Sequence, residues 1–237
     1  MPPCLRLGFR LIRGLSADQV RGVEAARRAG PIRSLYQLAQ RPDVPRDTLL
    51  RLAAADAFRS LGLSRRQALW QIFALDDAEP PLFAELEPHE PAVELPAPSL
   101  EETVVNDYDA LGFSLEAHPI GLVREELNHL KVTPNGRLRH LGNGQPVAVA
   151  GLVTVRQRPG TAKGIVFMTL EDETGMANLV IRPPIWERDQ RIARGKIALL
   201  AEGHIERQGE VVHVIVRRMH DLSARLANLA HRSRDFH

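Results

Sequence analysis

Three cations fall within the eight residues Arg156-Gln157-Arg158-Pro159-Gly160-Thr161-Ala162-Lys163, with Phe167 four residues on and Arg182 beyond it. Arg and Lys at that density around a Pro-Gly turn can track a phosphodiester backbone, and an aromatic face beside them can stack a base. The competing role for Phe167 is a place in a hydrophobic core. For Arg156 and Arg158 it is solvation of a hairpin. Other chemistries lack their groups. Cys4 is the only cysteine, which excludes an intrachain disulfide and a thiolate zinc site. The histidines are scattered, and His118 has no second ligand at metal spacing. There is no Gly-x4-Gly-Lys phosphate cradle and no Ser-His-Asp or Cys-His set. Neither a cofactor nor a metal is expected, and no residue is assigned a catalytic role.

The elements that must position these cations are strands. Five β-rich runs cover 147–156, 165–172, 176–182, 197–207 and 210–218. In the last, Val212, Val214 and Val216 alternate with Val211, His213 and Ile215, as in a small barrel filled by one alternate set. Gly151 falls mid-strand, where such barrels bend sharply. The polar, Trp186-bearing segment 184–194 suits a helix between the third and fourth strands, which places Trp186 in core packing. Glycine marks the turns at Pro159-Gly160, Glu173-Thr174-Gly175 and Gln208-Gly209. Five strands with a helix after the third is the order of the OB-fold, whose first and fourth inter-strand loops flank its binding face.

The remainder is organised around charge. Residues 1–75 hold 13 arginines against 5 acids; residues 76–110 hold 11 acids and no Arg or Lys; residues 111–237 are again net basic. Two basic bodies flanking an acidic strap suit polyanion-facing domains. Ser16, with Gln19 three residues later, forms a capping box for a helix over 18–28 that Gly30-Pro31 stops. Further helices are expected over 35–39, from Pro45 or Asp47 through Ala53, and over 65–75 with Ser64 as cap. The linker holds six prolines among glutamates and supports no regular element. Ser99 caps a helix over 100–111, and His118 before Pro119 is expected as a hydrogen-bonded structural histidine. The domain plan is therefore 1–75 helical, 76–99 acidic linker, 100–145 helical connector, 146–220 barrel and 221–237 basic tail: an α+β chain. No apolar run is long enough to span a bilayer, and Met1-Pro2-Pro3-Cys4 lacks a signal-peptide core. A cytoplasmic location away from membranes is the expectation.

The run Lys163-Gly164-Ile165-Val166-Phe167-Met168-Thr169-Leu170-Glu171-Asp172-Glu173-Thr174-Gly175-Met176-Ala177-Asn178-Leu179-Val180-Ile181 resembles the barrel near the C-terminus of bacterial C-family DNA polymerase large subunits, above all their error-prone, translesion branch. Ser233-Arg234-Asp235-Phe236-His237 resembles that branch's own C-terminus, and Glu116-Ala117-His118-Pro119-Ile120 its approach to the barrel. Ile12-Arg13-Gly14-Leu15-Ser16 and the stretch from Leu52 to Phe58, followed by Leu61-Gly62, resemble the paired helix-hairpin-helix unit that precedes the barrel.

The resemblance implies an N-terminal helix-hairpin-helix bundle in which Gly14, Leu15 and Ser16 aim backbone N–H groups at a duplex phosphate. The other hairpin, at Ala55-Asp56-Ala57, puts a carboxylate where a phosphate would sit and is expected to be structural. In the barrel, Arg156, Arg158, Lys163, Phe167 and Arg182 would meet single-stranded template. The family's catalytic palm is not found, and Glu171, Asp172 and Glu173 belong to a barrel hairpin rather than a palm strand. The chain therefore resembles a C-terminal piece of a DNA-repair-associated polymerase, binding DNA and inactive in nucleotidyl transfer alone. The alternative is an interaction module that recruits accessory translesion proteins or the rest of the polymerase. Pro81-Leu82-Phe83 resembles the end of a sliding-clamp motif, though Glu79 stands where that motif has Gln.

Overall fold

The computed structural model describes residues 7–75 and 95–226. The Leu82-Phe83 pair and the tail from residue 227 lie outside the described residues. The chain divides into two compact units. One holds the described residues up to Pro98 together with Asn106–Ser114. The other holds Ser99–Val105 and the described residues from Leu115 on. Residues 106–114 thus cluster with the helical unit rather than with the connector expected over 100–145.

The helical unit contains α1 (Ala17–Ala29), α2 (Leu35–Ala39), α3 (Arg46–Ala54) and α4 (Arg65–Ala74). Its core joins Val23 and Ala26 of α1 to Leu35, Leu38, Leu49, Leu52, Phe58 and Ile72. Helix α5 (Leu100–Ala110) ends in this unit. Arg65 pairs there with Asp107, both side chains nearly buried, and Ser114 donates to the other Asp107 oxygen at 2.6 Å.

The second unit is a closed five-stranded barrel in the order β1-β2-β3-β5-β4, with β3 and β5 parallel. Its strands are β1 (Pro146–Gln157), β2 (Val166–Asp172), β3 (Gly175–Ile181), β4 (Ala198–Gln208) and β5 (Val211–Asp221). They overlap the five expected runs, and the α+β, OB-type architecture holds. The interior takes one alternate set: Val166, Met168 and Leu170 from β2, Leu179 from β3, Ile205 from β4, and Val214 and Val216 from β5. A Cβ at Gly151 would sit 2.6 Å from the Glu171 carbonyl oxygen, so β1 passes β2 there at a distance only glycine permits.

Both mouths of the barrel are plugged. After β3, α8 (Pro183–Arg188) and α9 (Gln190–Gly195) insert Trp186 and Ala193. At the other mouth the 3-10 turn Asn135–His140 inserts Leu138. Two connector helices, α6 (Pro119–Leu122) and α7 (Arg124–His129), lay Ile120, Val123 and Leu127 over Ala150, Ala198 and Leu200 on the outer side of β1 and β4. Among the described residues, the outer sides of β2, β3 and β5 take no part in that second core.

Candidate nucleic-acid interface

The barrel's open face follows from strand parity. Because alternate residues point to opposite sides, burial of Met168, Leu179 and Val214 turns Phe167, Thr169, Asn178, Val180 and His213 outward. Phe167 is half-buried and stands opposite Gln157 on β1 and Val180 on β3.

The loop between β1 and β2 divides the expected cations. A register shift between Val153 and Val155 reverses the parity of β1. Val155 and Gln157 thereby join the open face. Arg156, opposite the interior Met168, is turned the other way, and its Nη2 donates to the Lys196 carbonyl at 3.0 Å. Arg158 and Lys163 are exposed, and Lys163 adopts a positive φ of 47°. Arg182, also exposed, is the N-cap of α8, and its neighbour Pro183 lies with the Arg158 guanidinium beside Gly164. The structure thus gathers Arg158, Lys163 and Arg182 at one end of the barrel and separates Arg156 from them. Among the described residues no carboxylate lies within ion-pair distance of these four cations.

The acids of the β2–β3 turn are engaged structurally. Asp172 is buried and accepts from the Asn135, Thr174 and Gly175 N–H groups at 2.9, 2.8 and 3.0 Å, from Thr174 Oγ1, and from Arg124. Arg124 also holds Glu173, and these carboxylates raise its pKa against the opposing effect of burial. The sequence reading did not single out Arg124. His118 acts as the N-cap of α6, its Nδ1 accepting from the Ile120 N–H at 3.2 Å. Burial lowers its pKa, against the pull of Glu171, Glu173 and Asp172.

In the helical unit, Gly14 takes φ 72°, Leu15 packs against the core, and Ser16 and Gln19 close the expected capping box. A Cβ on Gly14 would fall 2.1 Å from Arg51 Nη1; Arg51 pairs with Asp47, which also accepts from Gln19. The Gly14-Leu15-Ser16 backbone does not recur at Ala55-Asp56-Ala57. Gly62 takes φ 77°, Leu63 packs on the same core, and Ser64 with Gln67 forms a second capping box. Gly14-Leu15-Ser16-x-x-Gln19 and Gly62-Leu63-Ser64-x-x-Gln67 are a repeat in sequence and in backbone. Phe9-Arg10 and Phe58-Arg59 precede them within 3-10 turns, Phe9 five residues before Gly14 and Phe58 four before Gly62. The Asp56 carboxylate pairs with Arg59, consistent with a structural role for that turn. Each repeat offers the start of an α-helix of ten or more residues, where unpaired N–H groups and the helix dipole favour an anion.

Residues 2–68 match the helix-hairpin-helix motif family. The chain is 44% identical over 238 residues to the error-prone DNA polymerase of Rhodopirellula baltica, spanning 99% of this chain and 21% of that protein. It is 42% identical to error-prone DNA polymerase 2 of Rhizobium meliloti (98% and 22%) and 43% identical to the error-prone DNA polymerase of Pseudomonas aeruginosa (99% and 23%). Among solved structures, asparaginyl-tRNA synthetase from Pyrococcus horikoshii overlaps 34% of this chain and 20% of its own, at 20% identity and TM-score 0.29. The Stn1-Ten1 complex of S. pombe overlaps 39% and 70%, at 13% identity and TM-score 0.28. The chain spans about one fifth of the length of the polymerases it matches. Related to them along nearly all of its own length, the chain corresponds to one helix-hairpin-helix and OB-fold portion of error-prone DNA polymerases.

Proposed function

We propose that this chain grips DNA for an error-prone, translesion DNA polymerase and performs no chemistry of its own. The paired hairpins at Gly14-Leu15-Ser16 and Gly62-Leu63-Ser64 hold duplex backbone through N–H groups, without reading sequence. The barrel takes single-stranded template, its phosphates beside Arg158, Lys163 and Arg182 and a base against Phe167. The observation that carries this reading is the asymmetry of the barrel. Among the described residues, helices cover the outside of β1 and β4, while the outside of β2, β3 and β5 is left out of that packing and has cations at one end with no carboxylate in ion-pair reach.

The test is fluorescence titration of the chain with single-stranded and duplex oligonucleotides at several salt concentrations. Both should bind at low salt, with affinity falling steeply as salt rises, because each phosphate contact releases counterions. Absence of binding at low salt, or affinity indifferent to salt, would overturn the proposal.

A second reading, recruitment of a protein partner, is favoured by Trp70 and Phe73. They lie three residues apart on α4 and are 54% and 66% exposed. Capture of a translesion accessory protein that survives nuclease and reversal of Arg158 and Lys163, but not Trp70→Ala with Phe73→Ala, would favour it.

A further inference from the structure

Outward side chains of the barrel fall into two ranks running across the strands. Register sets Phe167 opposite Val180, Val180 opposite Ile215, and Ile215 opposite His204. One step nearer the β2–β3 turn, Thr169 stands opposite Asn178, Asn178 opposite His213, and His213 opposite Glu206. The first rank is largely apolar, with Ile215 buried and Phe167 and Val180 half-buried. The second is a continuous row of four hydrogen-bonding side chains.

That row is only partly satisfied internally. Thr169 Oγ1 lies 3.4 Å from Asn178 Oδ1, which leaves the exposed Asn178 amide N–H groups outward. Among the described residues, His213 Nδ1 is buried with no hydrogen-bond partner. Glu206 is half-buried, and no cation among the described residues pairs with it. An unpaired carboxylate repels a phosphate, so its place on a nucleic-acid face suits contact with a hydrogen-bond donor instead. A base lying on the Phe167–Val180 shelf turns its edge toward this row. On the major-groove edge, the donors a base offers a carboxylate are exocyclic amino groups. Thymine has none.

Resting on the nucleic-acid reading above, we infer that Thr169, Asn178, His213 and Glu206 read base edges and favour amino-bearing bases over thymine. Glu206 accepts from the amino group, and Asn178 donates to the adjacent ring or carbonyl acceptor. Phosphate contact stays with the loop cations, so discrimination and salt dependence are separable.

The test uses the whole chain, with fluorescein-labelled oligo-dC and oligo-dT of equal length at fixed low salt. A good base-edge pair discriminates by roughly fivefold or more, so dC should bind at least about fivefold tighter than dT. Glu206→Gln should bring the ratio within about twofold by raising dT affinity, since the amide both donates and accepts. Asn178→Ala should weaken dC and leave dT unchanged. Both side chains point away from the core, so urea midpoints should match the parent's, and salt slopes should not move. Equal dC and dT binding by the parent chain, or an unchanged ratio in Glu206→Gln, would overturn the inference alone. Failure of both oligonucleotides to bind would remove it together with the reading it rests on.

Discussion

Arg124 Nη2 donates to Asp172 Oδ2 at 2.8 Å, and the Asp172 side chain is wholly buried. This bond ties the first residue of α7 to the end of β2. The same carboxylate organises the β2–β3 turn and receives the Asn135 N–H at the start of the turn that plugs the barrel mouth. Breaking a buried pair by removing one partner costs on the order of 3–5 kcal/mol, because it strands the other charge. Asp172→Ala should lower unfolding free energy in urea by about that much. Glu173→Gln, at a more exposed side chain, should cost about 1 kcal/mol or less. Equal losses would contradict a central role for Asp172.

The two hairpin glycines should respond alike. Each holds a left-handed conformation that costs a residue with a Cβ roughly 1–2 kcal/mol. Gly14→Ala and Gly62→Ala should each lose about that amount. A Cβ at position 62 meets nothing within 4 Å, whereas at position 14 it must displace the Arg51 side chain. Both variants should weaken duplex binding more than single-strand binding. Loss confined to Gly14→Ala would show that the repeat is structural at one end.

His118 gives the fold a dependence on pH. Burial lowers its folded pKa below the usual 6.5, so the unfolded chain binds its proton first. Its contribution is therefore present above about pH 6.5 and is lost as pH falls through the lower folded value. Protonation of Nδ1 would also end its acceptance from the Ile120 N–H. Urea midpoints should decline on acidification from pH 7 toward 5, and His118→Asn should flatten that decline. An unchanged slope in the variant would place the effect elsewhere. Asp47, Asp189 and Asp221, held low by Arg51, Arg188 and Lys196 respectively, act in the same direction but only below about pH 4.

The barrel was legible in the sequence because one alternate set of each strand is apolar and each hairpin is marked by glycine. Trp186 declared its place by lying in the one helical stretch between strands. Parity within the β2–β3 hairpin also followed from the sequence, so Thr169 and Asn178 could have been found by counting outward from Asp172 and Gly175. The face reached by Arg156 could not, because the register shift at Val153/Val155 inserts a residue that no local pattern announces. His213 joins the polar row through a parallel β3–β5 pairing, a long-range choice invisible to local periodicity. The repeat of Gly-Leu-Ser-x-x-Gln at 14–19 and 62–67 is plain in the sequence once the two stretches are aligned.

Contact between the first barrel loop and a nucleic-acid backbone is most directly measured by the slope of log affinity against log salt. For single strands, each lost phosphate contact should reduce that slope by about 0.7. Arg158→Ala with Lys163→Ala should therefore make it shallower by roughly 1.4. Arg156→Ala, whose guanidinium is engaged at the Lys196 carbonyl, should leave it unchanged. A double variant that keeps the parent slope would contradict the account.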